Sequence, residues 1–160
     1  MKKLLFIIFL SFNINATEVC FTPQSHCTDL IVKDIMNAKH SIEIQAYSFT
    51  SEPIALSLVD VKKRGIRVEA ILDKTNITRQ DLGIVTLKSA GIAIWIDDKV
   101  RIAHNKVIII DDETLITGSF NFTTAAQYYN AENIIIVHDP AIINAYKINF
   151  EYRKSLSKFY

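Results

Sequence analysis

His104 and Lys106 stand two residues apart, and Gly118, Ser119 and Asn121 follow shortly after them. A neutral imidazole is a nucleophile toward phosphorus, and an ammonium and a side-chain amide beside it neutralise the non-bridging oxygens. On a strand, residues two apart face the same way, so His104 and Lys106 are expected to point together, with Ile108 and Ile110 continuing the row. Asp111 has the opposite parity, which favours a structural role. Gly118 permits a tight backbone path, and Ser119 and Asn121 come where a strand passes into a helix whose first turn holds Thr123 and Thr124. Hydroxyl, amide and backbone N–H groups there make an anion site without any metal. Glu132 is the candidate to hold the other ring N–H of His104 and fix its tautomer.

The elements that must position these groups read from periodicity. Asp29–Lys39 carries apolar residues at helical spacing, and Ser41–Tyr47 alternates as a strand with one functional face. Ser51 and Pro53 start a second helix that Arg64-Gly65 ends, followed by a strand over Ile66–Asp73. Thr78–Ala90 reads as one helix, Ile92–Ile96 as a strand, and Ile102–Asp111 and Thr114–Thr117 as strands joined by Asp112-Glu113. Phe122–Tyr129 is a short helix, Glu132–Val137 a buried strand, and Ala141–Leu156 a closing helix. Strand and helix alternating at short spacing predict an α/β domain, with a mixed, largely parallel sheet flanked by helices on both faces.

Composition sets the wider bounds. A chain of 160 residues, 49% hydrophobic and 22% charged, is one globular domain with a real core. Lys2-Lys3, the apolar run Leu4–Leu10 and the small residue Ala16 mark residues 1–16 as a secretory signal, leaving 17–160 as the single domain and a periplasmic or secreted product. Without Lys2 and Lys3 the chain holds 16 basic and 17 acidic side chains, so an anionic substrate is met by local positive charge rather than by a basic surface. An exported chain with only two cysteines is expected to join Cys20 to Cys27, closing a short loop worth about 2.5 kcal/mol. Too few ligands surround them for a metal site.

The pattern His104-x-Lys106-x4-Asp111 followed by Gly118-Ser119-x-Asn121 resembles the motif of the phospholipase D superfamily. With its single motif, its signal sequence, Gln45–Thr50 and Ala131-Glu132-Asn133, the mature chain is similar to that superfamily's small bacterial nucleases rather than to its two-motif phospholipases. The resemblance implies a covalent phosphohistidine and a second histidine acting as general acid, then base. One motif per chain then implies a C2 homodimer in which each copy brings His104, Lys106, Ser119 and Asn121 to a shared site, with Glu132 orienting His104. Coupled imidazoles should give a bell-shaped pH profile. No divalent metal and no other cofactor is implied.

The expected function is a metal-independent endonuclease acting on DNA or RNA with little sequence preference, because phosphate contacts position a chain without reading its bases. The alternatives are a lipid phosphodiesterase of the phospholipase D or cardiolipin type, and a non-catalytic nucleic-acid-binding module. No amphipathic membrane-binding helix is evident in the mature chain, so stable membrane association is not expected. His26, His40 and His138 read as ordinary surface or core residues, and Lys62-Lys63-Arg64 with Arg67 as a solvated helix end. Lys74, Arg79, Lys99 and Arg101 have a better claim to a substrate groove, and Ser48 and Thr50 a weaker one to the site. Tyr47, Phe49, Trp95, Tyr128 and Tyr129 could stack bases, with packing the default for each. Asp97, Asp98, Asp111, Asp112 and Glu113 read as loop and turn residues rather than a metal cluster.

Overall fold

The structure is a computed structural model and describes residues 17–160; the expected signal segment, 1–16, lies outside the described residues. In chain order the elements are β1 (Glu18–Thr22), α1 (Cys27–Met36), β2 (Ser41–Ala46), α2 (Glu52–Lys63), β3 (Arg67–Asp73), α3 (Thr75–Arg79) and α4 (Leu82–Ser89). They continue with β4 (Ala93–Asp97), β5 (Lys106–Ile110), β6 (Thr114–Gly118), α5 (Thr124–Tyr128), β7 (Glu132–Val137), α6 (Pro140–Leu156) and β8 (Lys158–Phe159). The strands form one sheet in the order β1-β7-β6-β5-β2-β3-β4-β8.

The sheet is mixed, with helices on both faces, as expected, but parallel pairing does not predominate. Only β2–β3 and β3–β4 are parallel; the other five pairings among the described residues are antiparallel. A parallel pair needs a long crossover, and only α2 and the α3–α4 segment provide one. After β4 the chain returns against β2 and then turns tightly at Asp111–Glu113, so every later pair runs antiparallel.

Strand alternation builds a core on each face. One face of β2, β3 and β4 sends Ile42, Ile44, Val68, Leu72, Ile94 and Ile96 against α1, α2 and α4, whose Ile31, Ile35, Ile54, Leu58, Ile84 and Leu87 are all buried. The opposite face holds a smaller cluster, Ile71, Val107, Ile109, Leu115 and Val137, covered by Ile143 and Phe150 of α6. Buried charge completes that layer. Glu43, 1% exposed, accepts from Arg67 at 3.0 Å, Lys154 donates to Glu69 at 2.9 Å, and Arg153 forks onto Asp97. Burial raises the Glu43 carboxyl above its ordinary range although Arg67 pulls the other way.

Three local departures from the periodicity reading bear on the site. The helix expected over 78–90 is two helices, broken where Gln80 takes φ 51° and Asp81 leads into α4. Asn76 anchors the break: its amide donates to the carbonyls of Tyr47 and Asp73, and its own carbonyl receives Asp81 N. The strand expected from Ile102 begins only at Lys106, because its partner β2 ends at Ala46, opposite Lys106. Residues 102–105 leave the sheet, held by Ala103 N on Asp73 at 2.7 Å and by Tyr47 N on the Asn105 carbonyl at 3.1 Å. At the edge, Cys20 and Cys27 are joined in a disulfide that ties β1 to the start of α1.

Candidate active site

Lys106 opens β5 on the face that continues into Ile108 and Ile110, and it is only 6% exposed. His104 lies two residues earlier, off the strand and exposed, yet the expected juxtaposition is present: Lys106 Nζ reaches His104 Nδ1 at 2.9 Å and the His104 carbonyl at 2.6 Å. An ammonium only donates, so Nδ1 is the acceptor and the proton of the neutral ring is assigned to Nε2. Burial pushes the Lys106 ammonium below its ordinary range, while the Glu132 carboxylate works in the opposite direction. A poorly solvated cation with few partners gains more from a phosphate oxygen than a solvated one does.

Tyr47, just past β2, lies against His104 with ring centroids 4.6 Å apart and planes 47° apart. Lys106 Nζ and the Arg79 guanidinium lie 5.5 and 6.0 Å from the same ring, within cation–π range. Sequence reasoning assigns Tyr47 to packing or base stacking; the structure packs it on the imidazole itself. The only signal for this is its place at the open end of β2, across from Asn105. Gln45 was likewise not singled out by role: its Oε1 accepts from Asn105 Nδ2 at 2.8 Å and so steadies the residue between His104 and Lys106.

Ser119 follows β6 and donates from Oγ to Glu132 Oε2 at 2.6 Å, while its oxygen accepts from Asn133 N at 3.1 Å. Asn130 Nδ2 donates to the other Glu132 oxygen at 3.0 Å. Glu132 is thus held by Ser119 and Asn130, and no hydrogen bond joins it to His104, contrary to the orienting role expected for it. The geometry explains this. β6 lies between β5 and β7, which puts the latter two about 10 Å apart, and Ser119 leaves the end of β6 directly in the gap. Glu132 acts on the site as a charge felt by Lys106.

Gly118 has φ 151°, and a Cβ there would lie 2.2 Å from the Asn133 carbonyl oxygen. That carbonyl receives the backbone N–H of Ser119 and of Phe120, so the close approach shapes the turn that delivers Ser119 and Asn121. Asn121 Oδ1 is enclosed without a hydrogen-bond partner, at a cost of about 1–3 kcal/mol. That oxygen only accepts, so a phosphate oxygen cannot satisfy it; the group that can bind phosphate is the Nδ2 donor of the same amide.

The remaining candidates fall away from the dyad. Asp111 accepts backbone N–H groups from Lys39, His40 and Ser41 at 2.8–2.9 Å, which fixes the turn into β2 and not the site. Asp97 binds Arg153, Asp98 binds Lys158 and Asp112 binds Lys147, so these acids are dispersed into ion pairs. The one close carboxylate group among the described residues, Glu43, Glu69 and Glu151, already has Arg67 and Lys154 within it. Of the proposed groove cations, Arg79 reaches the site through Tyr47, Lys74 is tied to the Val100 carbonyl, Lys99 lies beside Asp98 and Arg101 is exposed. Thr50 contributes its backbone N–H to the Phe122 carbonyl. No helix among the described residues is long and apolar enough to cross a membrane.

Comparison with known proteins places this arrangement. The family model described as "Cardiolipin synthase, PLD-like domain" matches residues 31–154. A protein named phospholipase D from Rickettsia typhi is 42% identical over 138 residues, 86% of this chain and 68% of that one. A mitochondrial cardiolipin hydrolase of Xenopus laevis is 28% identical over 160 residues, 94% of this chain and 76% of that one. The crystal structure of Nuc from Salmonella typhimurium, a phospholipase D family member, superposes with a TM-score of 0.84 at 34% identity, covering 91% of this chain and 97% of that one. NucT from Helicobacter pylori shares the fold, with a TM-score of 0.83 at 24% identity over 91% of this chain and 99% of that one.

Proposed function

This chain belongs to the phospholipase D superfamily of phosphodiesterases, and from that premise we propose that it is a metal-independent endonuclease. It cuts phosphodiester bonds of DNA or RNA with little sequence preference, in a site shared by two copies of the chain. The observation that carries the reading is the Lys106–His104 contact, with Ser119 and its Glu132 partner beside it, assembled once in a chain that spans Nuc almost end to end.

In this mechanism a substrate phosphate draws Lys106 Nζ and the Asn121 amide onto its non-bridging oxygens. Released from Lys106, His104 Nδ1 takes the ring proton and Nε2 is left with its lone pair. Nε2 forms the P–N bond as the P–O bond to the leaving group breaks, and His104 of a second copy protonates the departing oxygen. The same imidazole then takes a proton from water, which attacks phosphorus and breaks the P–N bond. Two histidines on opposite sides of one phosphate require the second copy. Ile142, Ile148 and Tyr152 on the outer side of α6, with Val19 and Phe21 on β1, are exposed apolar groups suited to cover by it. The disulfide suits a periplasmic or secreted protein, in line with the expected signal segment.

A second reading, a lipid phosphodiesterase using the same dyad, is favoured by the names of the Rickettsia and Xenopus relatives. One experiment separates the two: purified protein and its His104→Ala variant, in excess chelator, with plasmid DNA, RNA and phosphatidyl lipids. Nucleic-acid cleavage lost in the variant is expected. Cleavage of lipid alone, or loss of activity in chelator, refutes the proposal, and sedimentation showing an active monomer refutes the shared site.

A further inference from the structure

A cavity of about 350 Å³ opens where the first turns of α1 and α2 meet α5, and its lining includes Thr28, Asp29, Ser51, Thr124, Gln127 and Tyr128. Ser51 is 3% exposed, and its hydroxyl has no hydrogen-bond partner among the described residues. Gln127, 4% exposed, is held at both ends of its amide instead: it accepts from Thr28 N and donates to the Ser25 carbonyl. At the rim Tyr128 is 61% exposed, beside Tyr129 at 81%, their centroids 6.4 Å apart.

The cavity shares no lining residue with the active site, but the chain links the two at two points. Thr124 lies three residues beyond Asn121, a reach of at most about 10 Å. On the other side the chain runs from Tyr129 straight to Asn130, whose amide holds Glu132. Two helix N-termini would ordinarily suit an anion, but Asp29 and Glu52 already occupy their first turns and oppose one. What remains is a polar recess with the Asp29 carboxylate in its wall, a hydroxyl free of protein partners inside and an aromatic ring at its mouth. Those are the requirements of a nucleobase, which offers a flat π-face and edge donors and acceptors.

We infer that this cavity is a base subsite: the nucleotide flanking the scissile phosphate turns its base in beside Ser51 and stacks it on Tyr128. The inference rests on the nuclease reading and deepens it, because a base must be unpaired to enter, making single-stranded nucleic acid the preferred substrate.

The test compares kcat/KM of wild type, Tyr128→Ala, Tyr128→Phe and Ser51→Ala on a single-stranded oligonucleotide, the matching duplex and bis(p-nitrophenyl) phosphate. For Tyr128→Ala the ratio of the oligonucleotide value to the small-ester value should fall between about fivefold and about a hundredfold, mainly through KM, and Tyr128→Phe should restore it. Ser51→Ala should lower the same ratio by a smaller factor. An unchanged ratio in Tyr128→Ala, with wild type cutting nucleic acid, overturns the subsite and leaves the nuclease reading standing. A wild type that prefers duplex does the same. A wild type that cuts only anionic phospholipid vesicles, with Tyr128→Ala impaired on them, overturns both and makes Tyr128 a membrane contact.

Discussion

Replacing Gly118 by alanine tests whether the close approach of β6 to β7 shapes the site. Gly118 combines φ 151° with a Cβ position 2.2 Å from the Asn133 carbonyl oxygen, whereas Gly91 has φ 66° and open space where its Cβ would be. Both substitutions bear backbone strain of about 1–3 kcal/mol, with Gly91 at the low end because its left-handed conformation is one that other residues visit. Only Gly118→Ala must also displace backbone, at about 1–3 kcal/mol, and loosen the bonds from Ser119 N and Phe120 N, each worth about 1 kcal/mol. The expected cost is about 1 kcal/mol for Gly91→Ala and about 3–5 kcal/mol for Gly118→Ala. Urea unfolding of both variants measures the difference, provided the m-value is unchanged. The folded fraction of Gly118→Ala should also lose most turnover, because Ser119 and Asn121 are carried on the displaced turn. Equal costs within about 0.5 kcal/mol, or full activity in Gly118→Ala, would refute the reasoning.

Two further outcomes follow from the scaffold. Burial alone would raise the Asp111 carboxyl, but the N–H groups of Ser41, Lys39 and His40 hold it below its ordinary range. Its stabilisation is therefore complete above the unfolded value, near pH 4, and is lost as pH falls through the lower folded value. Asp111→Asn should cost about 1–2 kcal/mol at neutral pH, allowing for its partial exposure, and the gap to wild type should close below about pH 4 in thermal melts. Reducing the Cys20–Cys27 bridge with dithiothreitol should lower the unfolding free energy by about 2.5 kcal/mol, read from urea curves with and without reductant.

How much of this was legible in the sequence depends on how local each determinant is. Strand parity foresaw the meeting of His104 and Lys106, since an extended backbone alternates whether or not it is hydrogen-bonded into a sheet. It did not foresee that the extended stretch leaves the sheet before Lys106, which depends on β2 ending at Ala46 and on Asp73 capturing Ala103 N, a contact across thirty residues. The balance of parallel and antiparallel pairing was misjudged for a similar reason, because which strands meet is set after the chain has turned. Edge strands β1 and β8 escaped notice: one lies in the cysteine segment, and the other is two residues long. The break at Gln80 had no glycine or proline to announce it. Glu132 was placed next to the site by its spacing, but whether it would bond His104 or Ser119 turned on the order of three strands.

The two sides of the sheet are fastened in different ways. On one side α1, α2 and α4 are joined to the strands by continuous hydrocarbon, which holds through changes of salt and pH. On the other, α6 is anchored by Ile143 and Phe150 and otherwise latched by charge, through Arg153 on Asp97, Lys154 on Glu69 and Lys147 on Asp112. Ion pairs weaken with protonation of their carboxylates and, where exposed as Lys147–Asp112 is, with ionic strength, while buried hydrocarbon does not. The closing helix is thus the part of the molecule whose attachment follows the surrounding solution.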